Sequence, residues 1–276
     1  MIIEMIKFTK MHGNGNDFII IDEFEERVVA DQDKPDFAFN YCDRNFGIGA
    51  DGIIFLQPSE TADIRMRLFQ PDRSEAEMCG NGIRCLSKYA IDEGYVKSGS
   101  FTVETLSGVL NIKSKIDDGI WIKVNMGKPG FRGSEIPADC EVDFFEREIG
   151  AYKVYAVNTG VPHAVIFVDD LDITLETEAP KIRYDKNFPE GANVNFAVIE
   201  NGTQMRIRTY ERGLESESLS CGTGSVASVV VAKRLGLVKG DRIKVMTSGG
   251  DLFIYESGGN AFMEGTAETV YDGFLR

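Results

Sequence analysis

Short runs of β-branched or alternating apolar residues, each closed by Gly, Asn or Asp, recur along most of this chain. KFTKMHG, DFIIID, GIIFLQ, IRMRLFQ, SFTVETLSG, VLNIKSKI and IWIKVNMG all read as strands. Two stretches break the rhythm with helical spacing. One runs from Gly82 to Asp92 and stops at Gly94; the other runs from Gly224 to Leu235 and stops at Gly236. Shorter helices are predicted over DFAFNYCDR and ITLETEAPKIRY.

The two long helices sit in matching places, because the chain repeats itself. A shift of 142 positions lays Cys79-Gly80-Asn81-Gly82 on Cys221-Gly222-Thr223-Gly224, Gly94 on Gly236, Val96-Lys97 on Val238-Lys239 and Gly108 on Gly250. Upstream, Ser74-Glu75 falls on Ser216-Glu217, and RMRLF at Arg65 matches RIRTY at Arg206 after a slip of one residue. Further upstream the offset drifts to about 147, where HGNGNDFIIID resembles TGVPHAVIFVD. An internal duplication explains this better than shared composition. The expected fold is α/β (α+β), with two pseudo-symmetric domains that each wrap a mixed, barrel-like sheet around a central helix. The first domain is expected over residues 1–118 with 264–276 returning to it, and the second over 119–263. A cleft between such domains would be the natural ligand site.

Each long helix is preceded by a cysteine and Gly-X-Gly. The first turn of a helix offers unpaired N–H groups and the positive end of the macrodipole. A thiol there is expected to ionise more easily, and the same N–H groups can hold a carboxylate. Two such motifs suit one chemistry in particular. Inverting a stereocentre needs a base on one face of a carbon and an acid on the other, and a thiolate and a thiol can exchange those roles. Taken singly, either cysteine could be a buried core residue; two in matching positions argue against that. Cys42, Cys85 and Cys140 lack the context and read as packing residues, Cys85 facing the core.

The bulk properties narrow the partners. Hydrophobic residues make up 43% and charged residues 27%, and the net charge is −14. That acidity disfavours nucleic acid and anionic membrane. MIIEMIKFTK does not read as a signal peptide, and VASVVVAKRLG turns basic too soon to span a bilayer, so a cytoplasmic location is expected. Five cysteines and two histidines without ligand spacing argue against a disulfide framework and against a metal site. No phosphate-binding glycine motif points to a cofactor, and none is expected. The expected partner is a small amino-acid substrate; a homodimer is compatible with the sequence.

KMHGNGNDF, RNFGIGADG, SEAEMCGNGIRC, GVPHAV, ANVNF, YERG, SCGTGS and YDGF occur in this order between about Ile6 and Leu275. In them the chain resembles the diaminopimelate epimerases, two-cysteine enzymes that need no cofactor. The resemblance implies the pseudo-symmetric fold and an isomerase of lysine biosynthesis that interconverts LL- and meso-diaminopimelate. It makes Cys79 and Cys221 the catalytic acid/base pair and sets Gly80, Asn81, Gly222 and Thr223 around the reacting amino-acid group. Asn16, Gln70, Asn193, Glu211 and Arg212 match substrate-contacting positions, and His163 and Glu211 match groups that tune the cysteines.

The chain also departs from the commonest family pattern. Gln70 stands in FQPDRSE where many members have Asn, and Val161 stands in GVPH where many have an amide. The loop after ERG carries LESES, one residue longer than usual. Asn158 is the nearby amide that could compensate for Val161. These positions would read the far end of the substrate. A cofactor-independent racemase of another amino acid is therefore the alternative. A binding module that kept the fold, and a Cys–His hydrolase pairing His163 with Cys79 or Cys221, are readings of other classes.

Overall fold

The computed structural model describes residues 5–138 and 144–275. The chain forms two compact units, Met1–Val124 with Gly265–Arg276, and Asn125–Glu264. Asp117–Gly119, where the sequence suggests a boundary, is the tight turn of a hairpin inside the first unit.

The first unit contains β1 (Ile6–Gly13), β2 (Asn16–Asp22), α1 (Lys34–Cys42), β3 (Gly52–Gln57), β4 (Ile64–Phe69), β5 (Glu75–Ala76), α2 (Gly80–Asp92), β6 (Ser100–Thr105), β7 (Gly108–Ile116) and β8 (Ile120–Asn125). The second contains β9 (Phe145–Ile149), β10 (Tyr152–Asn158), β11 (Pro162–Phe167), α3 (Leu175–Arg183), β12 (Asn193–Asn201), β13 (Gln204–Glu211), β14 (Ser216–Ser218), α4 (Gly222–Arg234), β15 (Arg242–Thr247), β16 (Gly250–Ser257) and β17 (Asn260–Thr266). The chain then returns to the first unit as β18 (Glu268–Leu275), antiparallel to β1 from Ile6↔Leu275 onward.

The sheets repeat one topology. Neighbouring strands run β18-β1-β2-β3-β4-β6-β7-β8 in one unit and β9-β10-β11-β12-β13-β15-β16-β17 in the other. The short β5 and β14 pair with β4 and β13. Each sheet has two parallel pairs, β2–β3 with β4–β6 and β11–β12 with β13–β15. Parallel neighbours cannot be joined by a hairpin and need a crossover. The four helices lie on these crossovers.

α2 and α4 are the central helices. Nearly every side of α4 is buried, from Gly224 to Ala232, as expected of a helix enclosed by its sheet. Val226, Val229, Val230 and Val231 pack against Tyr155, Val165, Ile207, Val245, Leu252 and Met263. Each fully buried valine contributes about 1.5–3 kcal/mol. Both helices begin two residues before the position the apolar spacing suggests, because that spacing is blind to the turn supplied by Gly-X-Gly. They end as expected: Gly94 (φ +81°) and Gly236 (φ +73°) take the left-handed conformation that stops a helix. Cys42 and Cys85 are buried, and burial pushes both thiols up to about 12. Cys140 lies outside the described residues.

Candidate active site

Cys79 is the N-cap of α2. Its backbone is extended (φ −136°, ψ 122°), and its sulfur accepts the Gly82 N–H at 3.5 Å. Oxygen-bearing residues make stronger caps. A cysteine here gives up some capping strength and sets an ionisable sulfur at the positive end of the helix. The thiol donates to Asn16 Oδ1 at 3.6 Å, and the same oxygen accepts Asn81 Nδ2 at 3.2 Å. Asp51 Oδ2 takes Asn16 Nδ2 at 2.6 Å, so the orientation of that amide is fixed. Asp51 shares Arg44 with Asp17 at 2.8 and 2.7 Å. Burial lifts the Asp17 carboxyl, but hydrogen bonds from Arg44 and Lys10 outweigh it and hold the group at about 2.

Cys221 caps α4 in the same way (φ −109°, ψ 112°), accepting the Gly224 N–H at 3.4 Å. Thr223 Oγ1 lies 3.4 Å from its sulfur. The environment is different, however. Burial pushes the Cys221 thiol well up, and the charge of Glu211 and a hydrogen bond to it add to the rise. Thr223 and the Gly224 N–H pull the other way and lose. A helix N-terminus alone predicts an easily ionised thiol; at Cys221 desolvation overrides it, because the sulfur has little contact with water.

The remaining predicted residues of the second unit gather on adjacent strands. His163 lies beside Asn193 in the parallel β11–β12 register. Burial first, and then the Arg212 guanidinium, push His163 down to about 3, so the ring is neutral. Asn193 Oδ1 accepts the Arg212 N–H at 2.7 Å while its Nδ2 donates to Pro162 O at 3.3 Å, tying the Arg212 loop to β11. Arg212 Nη1 donates to Glu190 O at 3.2 Å. Gly80 and Gly222 are the first residues of α2 and α4.

Three features at or beside the departures from the family pattern each have partners within the protein. Gln70 is exposed, and its side chain accepts the Ser74 hydroxyl at 3.0 Å, closing the turn between β4 and β5. Asn158 accepts from Gly160 N in its own turn at 2.8 Å and donates to Glu135 O, 23 residues upstream, at 2.7 Å. The longer loop is pinned by Glu215, which accepts from Arg183 Nη2 and Tyr184 Oη, each at 2.8 Å, and from Gly213 N at 3.0 Å.

Other residues that shape the site are not found by the cysteine motifs. Arg67 forks onto Glu75 at 2.7 and 2.8 Å, and Arg208 onto Glu217 at 2.8 and 2.5 Å. These equivalent clamps hold the strand that leads into each cysteine. Their signal is in the repeat, which aligns both arginines and both glutamates. Asn195, two residues beyond Asn193 and hence on the same face of its strand, is wholly buried beside His163.

A duplicated sheet-and-helix unit with a thiol capping each central helix defines a two-domain α/β protein of the epimerase type. The same fold is found in a phenazine biosynthesis protein of the PhzF family from Bacillus anthracis, with a TM-score of 0.73 and 18% identity over 99% of this chain and 100% of that one. The family model for diaminopimelate epimerase matches residues 8–131 and 155–270. The chain is 57% identical to the diaminopimelate epimerase of Methanothrix thermoacetophila over 99% of its own length and 97% of the relative's. It is 53% identical to that of Archaeoglobus fulgidus, over 98% and 96%. The chain belongs to the diaminopimelate epimerase family.

Proposed function

We propose that this protein is an isomerase that interconverts LL- and meso-diaminopimelate, with Cys79 and Cys221 as the acid/base pair. One sulfur, as thiolate, takes the proton from the α-carbon, and the electron pair left behind moves into the α-carboxylate. The other sulfur, as thiol, returns a proton to the opposite face. The stereocentre is inverted, the proton count is unchanged and the two sulfurs have exchanged states. The reverse reaction runs with the roles swapped.

One observation carries the reading. In each unit a thiol caps a central helix whose first turn bears no acidic residue. The capping sulfur takes one N–H of that turn, and the others suit the substrate carboxylate and the charge that develops on it. Asn16, Asn81, Thr223, Glu211 and Arg212 supply the polar contacts such an amino acid needs, and the names of the relatives support diaminopimelate as the substrate. A Cys–His hydrolase is disfavoured, because burial pushes His163 down to about 3, too weak a base to take a thiol proton, and its Nδ1 faces Asn195. The other partner proposed is a second copy of the chain; sedimentation at 30.6 kDa would remove it. A cytoplasmic setting is proposed with it, and among the described residues no helix is long and apolar enough to cross a membrane.

The test is to incubate the reduced protein in D2O with LL-diaminopimelate, and separately with single common amino acids, following loss of the Cα proton by NMR. Exchange with formation of the meso isomer is the expected result. Exchange only with another amino acid would keep the chemistry and move the substrate, the outcome that Gln70 and Val161 would then explain. No exchange with any of them would remove the reading.

A further inference from the structure

The two thiol-capped helices rest on different floors. A Cβ placed on Gly82 would meet Ile54 Cδ1 at 3.1 Å and Phe18 Cζ at 3.4 Å. A Cβ on Gly224 would meet Asn195 Oδ1 at 2.3 Å and Thr209 Oγ1 at 3.2 Å. Apolar groups support the first turn of α2, and a buried polar network supports that of α4.

Within that network the hydrogen bonds fix one arrangement. Thr209 Oγ1 donates to Asn195 Oδ1 at 3.0 Å, and Asn195 Nδ2 donates to Ala164 O at 3.1 Å. The same Nδ2 lies 3.0 Å from His163 Nδ1. Turning the amide over would put the ring proton on Nδ1, but it would set the amide oxygen against the Ala164 carbonyl. Two acceptors facing each other in a dry interior are costly. Asn195 is therefore the donor, His163 Nδ1 is the acceptor, and the ring proton sits on Nε2. Nε2 is buried and has no hydrogen-bond partner among the described residues. A buried donor left in this state is rare unless a ligand or water completes it.

We propose that Asn195 is a positioning residue that locks His163 as the neutral Nε2–H tautomer, so that His163 donates a hydrogen bond to an acceptor atom of the bound amino acid rather than taking a proton from it. The lock stands on the geometry of the protein alone; the identity of the acceptor rests on the epimerase reading.

The chain has only two histidines, His12 and His163, so the test is direct. Protein labelled with 15N-histidine would be examined by NMR at pH 7, with His12→Gln assigning the signals. His163 should show a bare Nδ1 and a protonated Nε2. A protonated Nδ1, or two tautomers in comparable amounts, would overturn the lock whatever the enzyme's activity. Asn195→Asp should place a proton on Nδ1, since a carboxylate accepts where the amide donated, and should lower kcat more than it raises KM, by about tenfold for one lost positioning hydrogen bond. A folded Asp variant whose Nδ1 stayed bare would also overturn it. If that variant does not fold, the wild-type spectrum still decides. Adding meso-diaminopimelate should shift the Nε2 signal; turnover without such a shift would remove the donor role. The expected tautomer in a protein that turns over no amino acid would uphold the lock and sink the epimerase reading instead.

Discussion

Arg84 and Val226 occupy the same position of the two central helices, and both are wholly buried. The Arg84 guanidinium donates to Asn14 Oδ1 at 2.6 Å and to Thr266 O at 3.1 Å. It thus fixes the turn between β1 and β2 that carries Asn16, and it anchors the chain as it returns to the first unit. Burial pushes Arg84 down to about 10. Arg84→Met should cost ~1–3 kcal/mol for each buried oxygen left without this donor, measured by urea denaturation. Unchanged stability would show that the guanidinium is not what holds that turn.

Gly224 and Gly236 make a contrasting pair. A methyl group at Gly224 would overlap Asn195 Oδ1, whereas at Gly236 it meets nothing within 4 Å and only the positive φ opposes it. Gly236→Ala should cost about 1 kcal/mol. Gly224→Ala should cost ~1–3 kcal/mol through overpacking and should reduce turnover as well, because the strain falls beside the N–H that meets the Cys221 sulfur. Equal losses of stability with full activity in both variants would contradict this.

Either thiol replaced by alanine should abolish epimerisation. Losing a positioned acid or base lowers the rate by about 10²–10⁴-fold, and each direction of the reaction needs both groups. The measure is meso product formed from LL-diaminopimelate. Cys42→Ala is the control and should turn over normally, since that thiol is buried among packing residues.

Burial raises the Cys221 thiol first, and Glu211 raises it further. Neutralising that carboxylate should therefore lower the thiol's pKa. Glu211→Gln is expected to speed alkylation of Cys221 by iodoacetamide at pH 8, followed by peptide mass spectrometry. A slower or equal rate would mean that Glu211 does not hold the proton on this sulfur.

His163 is pushed from 6.5 to about 3 on folding, chiefly by burial. Between those values the unfolded chain binds the extra proton and the native state does not. The contribution to stability is thus full above pH 6.5 and declines as pH falls towards 3. Asp17 and Glu215, both held at about 2, add losses of the same sign at lower pH. His163→Gln should flatten the fall in the denaturation midpoint between pH 6.5 and 4. Parallel curves for the two proteins would assign the acid sensitivity elsewhere.

Much of this protein is written in its sequence because its signals are local and doubled. Alternating apolar runs set the strands, Gly94 and Gly236 stop the central helices, and the Cys-Gly-X-Gly repeat marks two thiols at helix starts without any tertiary information. The duplicated topology follows, since matching segments with matching crossovers form the same sheet. What the sequence could not decide is how each environment treats its chemistry. The same N-cap geometry surrounds both sulfurs, yet burial and Glu211 push the Cys221 thiol well up. The family motif singles out His163, but only its contact with Asn195 settles where the ring proton sits. Gln70 and Asn158 read as amides for a ligand, and the fold gives each a partner within the protein: the Ser74 hydroxyl on the Gln70 oxygen, and the Glu135 carbonyl and Gly160 N–H on Asn158. Ionisation and hydrogen-bond direction depend on desolvation and on groups brought together from distant strands; secondary structure depends on neighbours along the chain, which is why the second was legible and the first was not.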